Sequence, residues 1–189
     1  MPNERENIWN VPNALTMLRM ALLPVYWVLF MGGERYWALA VFIIASITDL
    51  LDGHIARKYN LITNFGKLMD PLADKLMVVS VMLSLALKGM APWAALLILL
   101  GKEAFMVLGG ALMYKRGIVV YAIWIGKAAQ ATAVSGLILC FFGEWIVEHL
   151  GFPLHLVVLW IAVGLTLCAL ILYAARALRT LKEKEKQEE

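Results

Sequence analysis

Four aspartates mark residues 49–74 of this chain, which read DLLDGHIARKYNLITNFGKLMDPLAD. Asp49 and Asp52 are three residues apart, and Asp70 and Asp74 are four apart. Residues at these spacings share one face of a helix. Each pair is therefore expected to present both of its carboxylates on the same side of a helix.

The connection between the two pairs is short, which predicts antiparallel neighbouring helices whose four carboxylates meet at one rim of a bilayer. Like charges repel and are costly beside hydrocarbon, so cations must offset them. An oxygen-rich cluster without His or Cys ligands suits Mg²⁺ or Mn²⁺. A set of helix caps and surface charges is the alternative, but Asp49 follows Ile47 and Thr48 inside an apolar run.

The residues between the acids suit a phosphate ligand. Gly53 and Ala56 are small and allow helices or phosphates to approach closely. Arg57 has the planar fork that binds phosphate through two hydrogen bonds. Its alternative role is a simple topological anchor on the cytoplasmic side.

The composition outside this segment is that of an integral membrane protein. The chain has 189 residues, of which 62% are hydrophobic and 16% charged, and its mean hydropathy is +0.75. A soluble domain is roughly half apolar and about a quarter charged. The net charge of +3 is too small to indicate nucleic acid, and Cys140 and Cys168 have no disulfide or zinc spacing.

The apolar runs predict an all-α fold with six transmembrane helices. A membrane-crossing helix needs about 20 apolar residues. Glycine, proline and asparagine separate the runs. The six predicted spans are residues 14–31, 36–57, 66–87, 92–114, 119–142 and 153–178.

Basic residues orient these helices, because cytoplasmic connections are enriched in Lys and Arg. Arg35 and Lys88 lie on one side. The other side carries Arg5, Arg57, Lys58, Lys67, Lys115, Arg116, Arg176, Arg179, Lys182, Lys184 and Lys186. Both termini and the acidic segment are therefore predicted to be cytoplasmic.

The chain is interpreted as a single transmembrane catalytic domain over residues 1–180. Residues 1–12 include a candidate interfacial helix, because Ile8, Trp9 and Val11 precede the first span. Residues 181–189 alternate in charge and form a cytoplasmic tail, expected to be a solvated helix end.

The acidic segment resembles the CDP-alcohol phosphatidyltransferase family, whose pattern is D-x2-D-G-x2-A-R-x8-G-x3-D-x3-D. Every spacing is intact, and the fixed positions are Asp49, Asp52, Gly53, Ala56, Arg57, Gly66, Asp70 and Asp74. The opening run PNALT at 12–16 also looks like the family. The runs DPLADK at 70–75 and WIGK at 124–127 look most like the branch that makes phosphatidylglycerophosphate.

This resemblance implies a homodimer of six-helix subunits in the inner (plasma) membrane, with an active site open to the cytoplasm. It implies transfer of a phosphatidyl group from CDP-diacylglycerol to a small alcohol, here glycerol 3-phosphate, with release of CMP. The implied partners are the lipid nucleotide, a small phosphorylated alcohol and membrane lipid.

The resemblance also implies roles for individual residues. Asp49, Asp52 and Asp70 would bind two ions, Mg²⁺ or Mn²⁺, while Asp74 would be the base and touch one metal. Contacts with the CDP lipid are implied for Gly53 and Arg57, helped by the segment from Asn13 to Thr16 and by Thr63.

The acceptor phosphate needs cations, and Arg116 and Lys127 are the candidates. Lys115–Arg116 has the alternative role of a topological anchor, whereas an intramembrane lysine such as Lys127 usually faces a partner or a wet cavity. Lys102 and Glu103 are expected to pair with neighbouring helices or to line the site. Lys102 departs from the arginine common in this branch. Arg19 either reaches the site or snorkels to the interface, and snorkelling is favoured.

Three other functions remain open. A CMP-releasing cardiolipin synthase uses phosphatidylglycerol as acceptor, and synthases of phosphatidylinositol phosphate or phosphatidylserine share the same motif. A cation transporter is the alternative from another class, since intramembrane carboxylates also bind transported ions. Transporter sites, however, usually lie near the bilayer midplane on broken helices.

Overall fold

The computed structural model describes residues 10–59, 63–115 and 124–188. These ranges are helical, with no strand among them, which confirms the predicted all-α class. In chain order the helices are α1 (Val11–Met31), α2 (Arg35–Lys58), α3 (Asn64–Leu87), α4 (Trp93–Lys115), α5 (Trp124–Cys140), α6 (Gly143–Leu150) and α7 (Leu154–Glu188).

The first four predicted helices agree with α1 to α4 within a few residues at each end. The region of the fifth differs, because α5 ends at Cys140 and the short helix α6 follows after a bend of 82°. The helix α6 was not among the predicted elements. The last helix, α7, continues beyond the sixth predicted span through the charged tail to Glu188, in agreement with the expectation that the tail is a helix end.

Local capping explains where the helices begin and end. Asn10 precedes α1, and its side-chain oxygen accepts the backbone N–H of Asn13 at 2.9 Å. This bond satisfies one of the donors that a helix start leaves without a partner. Gly33, in the turn between α1 and α2, and Gly151, after α6, have φ angles of 92° and 75°. That left-handed conformation favours glycine and stops each helix.

Three helical stretches are long and apolar enough to cross a membrane within the described residues: Val11–Met31, Trp93–Gly110 and Leu154–Leu181. The bent pair of α5 and α6 adds a fourth if it counts as one span. The chain is therefore a membrane protein. The helices α2 and α3 carry the charged motif, which lowers their hydropathy, so six crossings stay a prediction.

The chain divides into two compact units, Met1–Ser84 and Leu85–Glu189. In the first unit, α1 packs against α2. The phenol of Tyr26 on α1 shares a hydrogen bond with the hydroxyl of Ser84 on α3, and both side chains are fully buried. Tyr26 also stacks on Phe30, while Phe42 fills the core from α2. This unit contains the acidic segment.

In the second unit, α7 packs against α4, α5 and α6. Gly136 allows the close approach of α5, because a Cβ there would lie 3.2 Å from the Cα atom of Leu159. Leu137 and Leu159 are completely buried beside this contact. Small residues at such helix crossings let backbones pack closely in membrane proteins. The prediction of a single catalytic domain over residues 1–180 is not tested by this division.

Candidate active site

The beginning of α1 carries three buried polar side chains on one face. Asn13, Thr16 and Arg19 follow one another at a spacing of three residues and are exposed by only 3%, 1% and 1%. Residues three apart on a helix lie one above another. Buried polar groups need hydrogen-bond partners, and the partners of these three come from the acidic segment. These three residues form the α1 cluster.

Thr16 joins α1 to α3. Its Oγ1 donates a hydrogen bond to Oδ1 of Asp70, and the carbonyl of Pro12 lies 3.2 Å from the same hydroxyl. A hydroxyl has one proton, and a carboxylate is the stronger acceptor of the two. The second motif pair is thus connected directly to the first helix.

Arg19 joins α1 to α2. Its Nη1 lies 2.9 Å from Oδ1 of Asp49 in an ion pair whose arginine is buried and whose aspartate is 36% exposed. The favoured interpretation that Arg19 snorkels to the interface is therefore wrong. A charge inside the protein is stabilised by a carboxylate partner, and the first motif pair provides one here.

Asp49 and Asp70 consequently contact the same turn of α1. Their partners Arg19 and Thr16 are three residues apart on α1. This spacing places the Cβ atoms of Arg19 and Thr16 about 5–6 Å from each other. Each aspartate uses its Oδ1 atom in the contact with α1. This arrangement supports the expectation that the two motif pairs approach each other.

Thr63 caps the start of α3 and binds α1 at the same time. Its Oγ1 accepts the backbone N–H of Gly66 at 3.0 Å, which is the N-cap bond to the third helical residue. The same hydroxyl donates to Oδ1 of Asn13 at 3.1 Å. A residue expected to contact the CDP lipid therefore also sets the position of α3 relative to α1.

Gly66 lies at a close contact between α1 and α3, where three side-chain oxygens gather. A Cβ at this position would lie 2.8 Å from Oδ1 of Asn13, 3.2 Å from Oγ1 of Thr63 and 3.5 Å from Oδ2 of Asp70. The glycine is buried, so a side chain has no route to solvent. A glycine at this position therefore lets α1 and α3 pack closely, and a larger residue would force Asn13 to shift.

Other predicted site residues are described less completely. Asp74 is half-buried on α3, one turn after Asp70. Asp52, Gly53 and Arg57 belong to α2 by their backbone, but their side chains lie outside the described part of the structure. The roles of all four residues stay predictions.

The candidates for acceptor binding fall in the second unit or outside the description. Arg116 lies outside the described residues. Lys127 lies in the first turn of α5 and is exposed. Lys102 contacts the carboxylate of its neighbour Glu103, which agrees with the expectation of a charge partner but uses the same helix rather than another one.

The donor chemistry of the first unit fits a hard divalent cation. Carboxylate, carboxamide and hydroxyl oxygens gather near Gly66, and Mg²⁺ and Mn²⁺ prefer oxygen ligands. Among the side chains that the structure describes, no three His, Cys, Asp or Glu residues gather as a metal group. Asp52, predicted as the fourth carboxylate, is not among them.

The pairing of the α1 cluster with the acidic segment was not predicted from the sequence. Two signals pointed to it. Thr16 and Arg19 share a helix face at a spacing of three, and Arg19 lies inside an apolar run, where a charged residue usually has a partner. Thr63 also stands three residues before Gly66, which is the spacing of an N-cap bond.

Comparison with known proteins extends the similarity to most of the chain. The family model described as CDP-alcohol phosphatidyltransferase matches residues 9–168. A CDP-diacylglycerol–glycerol-3-phosphate 3-phosphatidyltransferase of Bacillus subtilis (strain 168) is 37% identical over 178 residues, which cover 84% of this chain and 90% of the relative. A protein of that name from Rickettsia typhi is 38% identical over 167 residues, covering 84% and 91%.

A more distant relative carries a different name. It is a Mycobacterium bovis protein provisionally named a cardiolipin synthase, and it is 30% identical over 142 residues. The aligned region covers 74% of this chain and 68% of that relative.

Proposed function

Because the chain belongs to the CDP-alcohol phosphatidyltransferase family, we propose that it transfers a phosphatidyl group from CDP-diacylglycerol to glycerol 3-phosphate. The products are phosphatidylglycerophosphate and CMP. The observation that carries this proposal is the identity of 37% to the Bacillus subtilis enzyme, with 90% of that relative covered. The intact spacing of the four motif aspartates supports it from the sequence.

The catalytic machinery requires divalent metal, Mg²⁺ or Mn²⁺. Asp49, Asp52 and Asp70 would hold two ions, and Asp74 would touch one of them. The ions, when bound, would stabilise negative charge that develops on the pyrophosphate. The side-chain oxygens that gather near Gly66 support this ligand type.

The chain's own residues bind the substrates and move the proton. Asp74 accepts the proton of the acceptor hydroxyl, which makes that oxygen a better nucleophile. The oxygen forms a bond to the phosphorus that carries diacylglycerol, and the bond from that phosphorus to CMP breaks. CMP leaves with the electron pair of the broken bond, in a direct displacement.

Neutral and positively charged residues orient the two substrates. Gly53 and Arg57 contact the CDP part of the lipid, because a small residue permits close approach and an arginine fork matches phosphate oxygens. Asn13, Thr16 and Thr63 line the same region from α1 and the start of α3. Arg116 and Lys127 bind the phosphate of the acceptor.

The bilayer supplies the lipid substrate and fixes the orientation of the enzyme. The acyl chains of CDP-diacylglycerol remain in the membrane while its head group enters the site. We place the protein in the inner (plasma) membrane as a homodimer of six-span subunits, with both termini and the active site facing the cytoplasm. The excess of Lys and Arg on one side of the helices supports this orientation.

A CMP-releasing cardiolipin synthase is the second candidate function. The similarity of 30% to the Mycobacterium bovis protein of that provisional name favours it over a synthase of phosphatidylinositol phosphate or phosphatidylserine. The acceptor would then be phosphatidylglycerol instead of glycerol 3-phosphate. A cation transporter remains a remote third candidate.

Purified protein supplied with CDP-diacylglycerol and one acceptor at a time separates these functions. Metal-dependent CMP release with glycerol 3-phosphate alone is the expected result. Release only with phosphatidylglycerol, inositol phosphate or serine would assign the enzyme to another branch. Cation flux into vesicles without any CMP release would reject the enzyme altogether.

A further inference from the structure

One turn of α1 contacts a carboxylate from each of the two other helices of the first unit. Thr16 donates to Asp70 on α3, and Arg19 pairs with Asp49 on α2. Both α1 side chains are 1% exposed, so neither faces the lipid or the aqueous surface. Buried Thr and Arg side chains stabilise the groups that they contact, and here each contacts a motif aspartate.

We infer that Thr16 and Arg19 are positioning residues, which hold Asp70 and Asp49 in the orientations required to bind divalent metal. The inference rests on the proposed function and goes beyond the contact with the CDP lipid expected for Thr16. It assigns the first helix a task that the aspartate motif alone does not contain.

The geometry supports this role through the atoms involved. Each α1 side chain engages the Oδ1 atom of its carboxylate. The Oδ2 atom of Asp70 lies on the side of Gly66, 3.5 Å from the position of a Cβ there. Fixing one oxygen of a carboxylate sets the direction of the other, so Thr16 directs the second oxygen of Asp70 toward Gly66, where the oxygens of Asn13 and Thr63 also lie.

The side chains of Thr16 and Asn13 also contact other groups of α1 and α3. The carbonyl of Pro12 lies 3.2 Å from the Thr16 hydroxyl and belongs to the first turn of α1. Asn13, on the same face, is bonded to Thr63 at the start of α3. Groups that orient metal ligands in this way typically change metal affinity or activity about 10–100-fold when they are removed.

The first test compares Thr16→Val with Thr16→Ser, using Mn²⁺ alone as the probe. Valine keeps the shape of threonine but has no hydroxyl, whereas serine keeps the hydroxyl. Thr48→Val is the matched control, because Thr48 is buried in the same unit and its hydroxyl donates to the Ala45 carbonyl of its own helix. Mn²⁺ binding to the detergent-purified full chain is measured by electron paramagnetic resonance.

Thr16→Val is expected to weaken Mn²⁺ binding about 10-fold or more and to lower kcat for CMP release. The KM for glycerol 3-phosphate is expected to stay unchanged, because the substitution leaves the acceptor contacts intact. Thr16→Ser and Thr48→Val are expected to bind Mn²⁺ like the wild type.

Arg19→Lys is the second variant and keeps the positive charge. Lysine is a point charge without the planar fork, so it holds a carboxylate in a less defined orientation. We expect weaker Mn²⁺ binding and a lower kcat, with the melting temperature close to that of the wild type. Arg35→Lys is its control, since Arg35 is the first residue of α2 and lies about four turns before Asp49.

Wild-type Mn²⁺ affinity in both Thr16→Val and Arg19→Lys would overturn the inference. Equal losses in Thr16→Val and Thr48→Val would also overturn it, because the effect would then follow from losing any buried hydroxyl. The proposed function fails separately, if the wild-type protein releases no CMP with glycerol 3-phosphate. The Mn²⁺ measurements decide the positioning role in either case.

Discussion

Gly66 on α3 packs directly against the carboxamide of Asn13 on α1, since a Cβ at the glycine would lie 2.8 Å from Oδ1 of the asparagine. Real Cβ atoms do not approach an oxygen that closely, so the buried carboxamide of Asn13, or the helix that carries it, would have to shift. The hydroxyl of Thr63 and the carboxylate of Asp70 face the same space, at 3.2 Å and 3.5 Å. A displacement of α3 here would therefore also displace a motif aspartate.

Gly66→Ala is expected to lower both stability and activity. Overpacking of a buried position typically costs about 1–3 kcal/mol, and the strain falls on the N-cap of α3. The measurements are the melting temperature in detergent and the rate of CMP release. Gly101→Ala is the control, because nothing lies within 4 Å of a Cβ at Gly101 and alanine favours helix by roughly 0.5–1 kcal/mol. Equal effects of the two substitutions would contradict the steric argument.

Asp74→Asn is expected to reduce kcat for CMP release by about 10²–10⁴-fold, because the amide cannot accept the acceptor proton. The assay compares equal amounts of wild-type and variant protein in detergent. Glu148→Gln on α6 makes the same chemical change at an exposed acid and is expected to leave the rate unchanged. Normal turnover of Asp74→Asn would remove Asp74 as the base.

Chelation with EDTA is expected to abolish CMP release, because carboxylates that gather without metal repel one another and cannot bind pyrophosphate. Adding Mg²⁺ or Mn²⁺ in excess of the chelator should restore the rate. The melting temperature, recorded with and without metal, reports whether the ion also stabilises the fold by binding the native state. Full activity of metal-free protein would exclude the proposed metal chemistry.

Lys127→Ala is expected to raise the KM for glycerol 3-phosphate roughly 10-fold or more, since a hydrogen bond to a charged group is worth about 1.5–3 kcal/mol. The KM for CDP-diacylglycerol should not change. Lys88→Ala removes an exposed lysine just after the end of α3 and is the control. An unchanged KM for glycerol 3-phosphate in Lys127→Ala would show that other cations bind the acceptor phosphate.

Much of the architecture could be predicted because it depends on local spacing. The bounds of α1 to α4 follow from apolar runs and from the glycines and prolines that interrupt them. The helix α6 escaped prediction because it is only eight residues long and carries two glutamates, so it lies within the predicted connection between the fifth and sixth spans. Such a break depends on how α7 packs against α6. For example, His155 of α7 lies against Gly143, where a Cβ would be 3.0 Å from the imidazole.

The aspartates of the candidate site could be predicted from the sequence, but the residues that contact them could not. The spacing of Asp49, Asp52, Asp70 and Asp74 alone indicated which residues share a helix face and what ligand they suit. Arg19 was misinterpreted as a snorkelling residue, because its sequence context is equally that of an interfacial anchor. Only its burial against Asp49 distinguishes the two.

The amino-acid sequence by itself determined the membrane class, the helical pattern and the family motif, because these depend on composition and on residues a few positions apart. The tertiary structure decided which buried polar groups become partners. Thr16 and Asp70 are 54 residues apart, and their contact depends on how α1 and α3 are rotated against each other. A buried hydroxyl or guanidinium must find a partner, but only the packing of the helices selects which carboxylate it is.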